Sequence, residues 1–298
     1  MKPFFSYYGG KQKMAHKIIP LIPKHTVYVE PFAGGASILF MKPFPEVKNS
    51  NWYREVINDI NNLVYNFYKQ LRDNPQELQR LINATAYCER TFNKCKRICR
   101  GDIEISGVRK AWAFFVNINM AFSNNLSGGW RRSVFGRNSS YSWYSKIDNL
   151  NRFLNRMQGV HISNTDALKC IKYWDSPQTF FYIDPPYIDS ANAHYSGYTQ
   201  QDLDRLIDLL LNIDGSFILS GYDNSSYPDI WERFEFDVKM TAARQRKEGL
   251  DRKRKEVVLR HITKKPVRPE IQKIYKNPAF SCFSGDSIIE NEKKYMWM

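Results

Sequence analysis

The chain has few cysteines, and nothing in their spacing pairs them. Cys88, Cys95, Cys99, Cys170 and Cys282 are odd in number among 298 residues and form no double CxxC arrangement. A disulfide framework is thereby excluded, and zinc at Cys88, Cys95 and Cys99 lacks a fourth ligand and the usual spacing. No metal is expected. Long apolar runs are also missing, so no segment reads as a membrane span, and the N-terminus shows no signal-peptide pattern. The expectation is a soluble, intracellular, cytoplasmic protein. Acids are in short supply, with 30 Asp+Glu against 44 Lys+Arg and a formal charge of +14. An excess of this size, without a clearly disordered tail, points to a basic folded surface and a polyanionic partner. Two nucleotide-binding signatures are absent as well: the GxGxxG turn and the Gly-Lys-Ser/Thr phosphate loop. The length allows one large domain or two.

What is present centres on residues 179–187, TFFYIDPPY. The apolar, aromatic and β-branched run 179–183 predicts a strand buried on both faces, and two prolines that cannot continue a ladder end it. Asp184 therefore stands at the carboxyl end of a core strand, the rim where open α/β sheets bind ligands. The set suits an exocyclic amine on a planar ring. Asp184 can accept one N–H, the Pro185 carbonyl the other, and Tyr187 can stack on the ring.

Upstream, residues 26–37 read as a short strand, a Gly-rich turn at Gly34 and Gly35, and the start of an apolar helix. Such a turn lets a ligand approach the backbone, with amides free at the helix start. Residues 55–61 read as a second strand ending in Asp59. That acid can accept from ribose hydroxyls or, with Asn58 and Asn61, cap the helix predicted over 63–71. Tyr7, Tyr8, Gly9, Gly10 and Lys11 make an aromatic-flanked glycine turn from which Lys11 can reach an anion.

Asp184-Pro185-Pro186-Tyr187 resembles the catalytic motif of the S-adenosylmethionine-dependent amino-methyltransferases of DNA. The glycine turn at Glu30-Pro31-Phe32-Ala33-Gly34-Gly35, the opening Tyr7 to Lys11, and Asn58-Asp59-Ile60-Asn61 resemble, in the same order, the motifs of Dam-like (D12 class) adenine methyltransferases. The resemblance implies that Tyr7, Lys11, Phe32, Gly34, Gly35, Asp59, Asp166 and Asp184 contact the cofactor. Asp184, Pro185 and Tyr187 would be catalytic. The family's usual aromatic at the position of Tyr7 is tryptophan. A second reading of Asp166 is a cap on the helix predicted over 167–174.

Between the strand-rich parts, helical patterns at 75–87, 90–100, 108–122 and 146–157 predict an inserted helical domain over 73–158, with 1–72 and 159–298 forming the catalytic domain. Residues 117–137 include Gly128-Gly129-Trp130-Arg131-Arg132, which reads as a hairpin or loop able to enter a groove. Asn119, Asn124, Trp130, Arg131, Arg132 and Arg137 are candidate DNA contacts, to bases or to phosphates. The family's recognition element falls at this place with different letters, so its GATC specificity is not carried over.

Residues 188–199 read as a loop beside Asp184, in which His194 is taken as solvent-facing. Strands are predicted at 215–222, 236–240 and 256–262, and Ser220, Tyr222 and Asp223 end the first of them at the rim of Asp184, as candidates to line the base pocket. The loop 241–255 carries seven Lys or Arg residues. Among them Arg244, Arg246, Lys247 and Arg252 are candidate phosphate clamps.

The expected fold is α/β, a Rossmann-like methyltransferase sheet interrupted by a helical target-recognition insertion. The expected function is site-specific DNA adenine N6-methylation of a flipped base in double-stranded DNA, of the restriction-modification kind, by a monomer or weak dimer. The alternatives are an RNA adenine methyltransferase, a DNA cytosine-N4 methyltransferase, whose motif is more often Ser-Pro-Pro, and a DNA-binding module without activity.

Overall fold

The computed structural model describes residues 5, 10–43, 53–132, 138–148, 150–188, 197–239 and 253–265. Its strands are β1 (Val27–Glu30), β2 (Arg54–Asn58), β3 (Val160–Ser163), β4 (Thr179–Ile183), β5 (Ser216–Gly221), β6 (Glu232–Lys239) and β7 (Lys253–His261). The helices of the first half are α1 (Ala15–Ile18), α2 (Ser37–Met41), α3 (Asn62–Asp73), α4 (Pro75–Asn83), α5 (Glu89–Arg100) and α6 (Gly107–Met120). They are followed by α7 (Ser139–Asp148), α8 (Leu150–Met157), α9 (Ala167–Trp174) and α10 (Gln200–Leu210).

The seven strands form one sheet in the order β3-β2-β1-β4-β5-β7-β6. β1 to β5 are parallel to one another, and β7 enters antiparallel between β5 and β6. Alternation along the strands explains why the central ones are apolar throughout. Tyr28, Ile57, Phe180, Tyr182, Ile218 and Val258 turn to one face, where α1 to α8 supply the rest of the core. Val29, Val56, Phe181, Ile183, Phe217, Leu219, Val257 and Leu259 turn to the other, against α9 and α10. With both faces covered, period-2 polarity disappears from β4, all of whose residues are buried.

The helical stretch after α3 is joined to the elements that precede it by two means. Phe67 of α3 stacks on Phe115 of α6 at 5.9 Å, and Phe114 meets Phe5 edge-on at 5.3 Å. Each such buried ring contributes about 1.5–3 kcal/mol relative to leaving it in water. The second fastening is ionic. Glu55 of β2 accepts from Arg156 of α8 and pairs with Lys42 just after α2, and the two cations hold its carboxyl down at about 2 although burial alone would raise it.

Several predicted boundaries move for local reasons. The helix expected over 146–157 is divided between α7 and α8. α7 starts early because Asn138 accepts from the amides of Ser140 (2.9 Å) and Tyr141 (3.4 Å), and because Trp143 is buried with its indole N–H on the carbonyl of Thr85 at 2.9 Å. α4 stops before 87, where the Thr85 hydroxyl folds back on Leu81 O at 2.6 Å. β6 begins at Glu232, earlier than its apolar residues suggest, because cross-strand ion pairs such as Arg260–Glu232 and Lys255–Glu235 stand in for packing.

Candidate active site

Parallel pairing decides where the site residues meet. β1 lies between β2 and β4, with Val29 level with both Val56 and Phe181. The glycine turn after β1, Asp59 after β2 and Asp184 after β4 therefore share one rim of the sheet. β7 runs the other way, with Val257 opposite Gly221, so the beginning of that strand comes to the same rim and brings Glu256 with it.

The turn itself is tightly determined. Gly34 adopts φ +46° and Ala36 φ +45°, both left-handed, a conformation that costs a non-glycine residue about 1–2 kcal/mol. Asp59 Oδ2 accepts from the Gly34 amide at 2.8 Å, while the Gly34 carbonyl accepts from Tyr68 at 3.0 Å. Asp59 Oδ1 accepts from the Asn61 amide at 2.8 Å, and the cap of α3 is Asn61, which accepts from Leu63. Asp59 is therefore not the helix cap. Asn58 joins three strand ends: its amide donates to Pro31 O (2.9 Å) and Thr165 O (3.0 Å) and accepts from Ser163 and the Thr165 amide.

Glu30 changes the expectation for the start of α2. Its Oε1 accepts from the Leu39 amide and from Tyr28, both at 2.7 Å, so that amide has a protein partner. Phe32 packs edge-on against Tyr198 at 6.4 Å, and Gly34 and Gly35 are buried. Among the described residues the buried Tyr198 hydroxyl has no hydrogen-bond partner. Asp166 is exposed and caps α9 through Lys169 N at 3.1 Å.

Around Asp184 a compact charge cluster forms. Lys11, only 4% exposed, donates to Asp184 Oδ1 at 2.6 Å, reaches Glu256 Oε1 at 3.2 Å, and contacts the Tyr187 hydroxyl. That hydroxyl lies 2.6 Å from Glu256 Oε1 and 3.3 Å from Asp184 Oδ1. The Tyr187 ring packs against Tyr222 with centroids 4.4 Å apart. Burial pushes Asp184 up to about 6, with Lys11 opposing and Glu256 adding to the rise. Burial alone would pull the Lys11 ammonium down, but Asp184 and Glu256 outweigh it and leave it above its ordinary value. Burial also raises Glu30 to about 7 and Asp59 to about 6.

These three carboxyls are harder to ionise folded than unfolded. Stability should therefore fall as pH rises from the unfolded values near 4 through folded values of about 6 to 7. Scanning calorimetry of the unliganded protein is expected to show a higher unfolding midpoint at about pH 5 than at about pH 7.5. The depressed Glu55 acts only below that window, while buried His25, held down at about 3, adds stability with rising pH up to its unfolded value near 6.5 and so offsets part of the fall from the three carboxyls.

The candidate DNA contacts divide into inward and outward groups. Asn119 is 3% exposed, donates to Phe115 O at 3.0 Å and accepts from Lys146, so its amide faces the interior. Arg131 is half-buried; its guanidinium donates to Asn119 O, and its own carbonyl accepts from Tyr87 at 2.6 Å. Arg132 is exposed, pairs with Glu89 at 2.7 Å and stands 5.5 Å over the Trp130 ring. Trp130 closes a loop by an antiparallel bridge to Ala121, in which Ser123 and Asn124 take left-handed backbones. Tyr7, Arg137, His194, Arg244, Arg246, Lys247 and Arg252 lie outside the described residues.

Glu256 joins the site without a site role from sequence, whereas Tyr222 is expected at this rim as a base-pocket candidate and Tyr198 in the loop beside Asp184. An acid opening an apolar strand was the one available signal for Glu256. What placed it was the reversal of β7.

An open sheet of this order, with a glycine turn after its first strand and acids after its second and fourth, is the Rossmann-like fold of methyltransferases. The chain belongs to the D12 class N6 adenine-specific DNA methyltransferases, whose family model matches residues 7–236. It is 28% identical over 245 residues to Type II methyltransferase M1.LlaDCHI of Lactococcus lactis subsp. cremoris, covering 76% of this chain and 82% of that one. Type II methyltransferase M.MjaIII of Methanocaldococcus jannaschii is 28% identical over 227 residues, with 68% and 75% covered. Modification methylase StsI of Streptococcus sanguinis is 23% identical over 210 residues, which span 66% of this chain but 30% of that protein. Methylation of DNA adenine at N6 is therefore the activity of this chain. Among the described residues no helix is long and apolar enough to cross a membrane, and no group of side chains could hold a metal ion.

Proposed function

We propose that the chain methylates adenine N6 at a specific site in double-stranded DNA, with S-adenosylmethionine as donor and the target base turned out of the duplex. The observation that carries this reading is the shared rim. Asp184 stands beside the glycine turn on the neighbouring strand, and both described donors that reach it, Lys11 and Tyr187, land on Oδ1.

The donor and acceptor set at the rim fits the cofactor. The turn at Gly34 carries no Cβ to hold a ligand off its backbone, Asp59 offers lone pairs beyond its two amide partners, and the Tyr198 hydroxyl, on the ring that packs against Phe32, has hydrogen-bonding capacity to spare. Phe32, Gly34, Gly35, Asp59 and Lys11 would hold it, joined by Tyr7 and Asp166. When bound, it supplies an electrophilic methyl on sulfonium.

The protein's own contribution is to orient a weak nucleophile. Adenine N6 has its lone pair drawn into the ring. Asp184 Oδ2 and the Pro185 carbonyl would each accept one N–H, fixing the amine and favouring the geometry in which that lone pair points out of the ring plane. Tyr187, braced by Tyr222, would bound the face of the base. Asp184 has to be ionised for this, so transfer should decline as pH falls through about 6. With a value that low it cannot strip a neutral amine beforehand, and the proton leaves with or after methyl transfer. Turning the base out costs a few kcal/mol, offset by stacking and phosphate contacts.

The stretch 73–158 would read the target. α5 turns Arg90, Lys94 and Arg97 to solvent at one-face spacing, and the loop ending at Arg132 is pinned to it by Lys96 on the carbonyls of Ser127 (2.9 Å) and Gly128 (2.6 Å). Within that loop Asn124 Oδ1, Trp130 Nε1 and Arg131 Nε are buried without partners among the described residues, hydrogen-bonding capacity that a nucleic acid could use after the loop adjusts. Arg137 and the basic residues Arg244, Arg246, Lys247 and Arg252 would add phosphate contacts.

The test is incorporation of tritiated methyl from S-adenosylmethionine into plasmid DNA, followed by nucleoside analysis and mapping. Label in N6-methyladenine at one recurring sequence is expected. Label in cytosine, in RNA in preference to DNA, or at adenines without sequence pattern would overturn the proposal.

A further inference from the structure

The cluster around Asp184 contains an acid with no assigned part in the reaction. Glu256 is 6% exposed, lies in the first half of the antiparallel strand β7, and arrives at the rim through topology. Its Oε1 is the acceptor nearest the Tyr187 hydroxyl, at 2.6 Å against 3.3 Å for Asp184. A phenol has one hydrogen to give, so Tyr187 donates to Glu256 and takes a hydrogen from Lys11. Lys11 in turn has three hydrogens, and among the described residues Asp184 Oδ1, the Tyr187 oxygen and Glu256 Oε1 are acceptors within its reach. Glu256 is thus the end point of both donor chains.

We propose that Glu256 is a positioning residue for methyl transfer. By taking the Tyr187 hydrogen and sharing the Lys11 charge, it keeps both from closing fully on Asp184, so that Oδ2 stays available to the target amine. Without its charge, the Tyr187 hydroxyl turns to Asp184, and of the two acids in the cluster Asp184 alone then faces the Lys11 charge, which makes that carboxylate a poorer acceptor. Asp184 is faced by Lys11, Glu256 and Tyr187, and feels Tyr182, Tyr227 and Glu30. Of these groups Glu256 is the acid that adds to its basicity, and Lys11 the cation that subtracts from it.

The inference rests on Asp184 acting in methyl transfer, and Asp184→Ala measured in parallel tells the two failures apart. Glu256→Gln keeps size and one acceptor oxygen while removing the charge. In single-turnover assays against pH, at saturating cofactor and duplex, it should slow transfer about tenfold. Its acid limb should move below the wild-type position, with KM for cofactor and DNA within about twofold. Glu256→Asp, which restores the charge on a shorter stem, should bring the limb back. An unshifted limb with wild-type rate overturns the proposal. So does a loss matched by a collapse in thermal stability and cofactor affinity, which would make Glu256 purely structural. Should Asp184→Ala stay active, the methyl-transfer reading itself fails.

Discussion

Asp184→Ala is expected to lower methyl transfer about 10³-fold or more while leaving duplex affinity within a few-fold of wild type. The carboxylate directly follows the buried strand β4, and its side chain lies 2.6 Å from a buried ammonium. Removing it takes away the oxygen that would hold the amine. It also leaves Lys11 with Glu256 alone for an ionised partner among the acids of the cluster. That charge would then stand where an incoming amine donates its hydrogens, so the loss should exceed that of a single hydrogen bond. Single-turnover rates and a filter-binding or anisotropy titration separate chemistry from DNA binding. Equal losses in both would assign Asp184 to folding or docking.

Asp59→Ala should weaken cofactor binding about 100-fold, or about 3 kcal/mol, from loss of charge-assisted bonds to two hydroxyls. Asp59 already accepts from Gly34 N and Asn61 N, one on each oxygen, and a carboxylate has about four acceptor positions. The remaining lone pairs sit beside the glycine turn. Truncation also removes the acceptor of the Gly34 amide, at a cost of about 1–3 kcal/mol in stability. Calorimetric titration with S-adenosylmethionine, alongside a thermal melt, distinguishes a lost ligand contact from a loosened turn. Unchanged affinity would show that the ribose is bound elsewhere.

The parts of this site that could be read from sequence were those built by short-range chemistry. β4 was legible because apolar residues on both faces and two prolines leave no other element to form, and its last neighbour had to be Asp184. The turn at Gly34 was legible because adjacent glycines permit a tight turn of the chain, and the cap of α9 at Asp166 because the short acid precedes a clean helical pattern. Long-range consequences were hidden. Glu256 reached the rim through strand reversal, Asn119 turned inward because α6 is buried along that side, and Glu30 took the Leu39 amide because its strand and α2 fold back together. The order of β7 and β6 at the sheet edge likewise has no local signal, since charged cross-strand pairs carry it.

The most direct test is a crystal structure with S-adenosylhomocysteine and a duplex containing the mapped target. The cofactor product should lie along the turn at Gly34 with its ribose on Asp59, and an adenine outside the helix should have N6 between Asp184 Oδ2 and the Pro185 carbonyl, facing the sulfur. Density for the cofactor away from that rim, or a target base still stacked while its N6 meets the sulfur, would contradict the account.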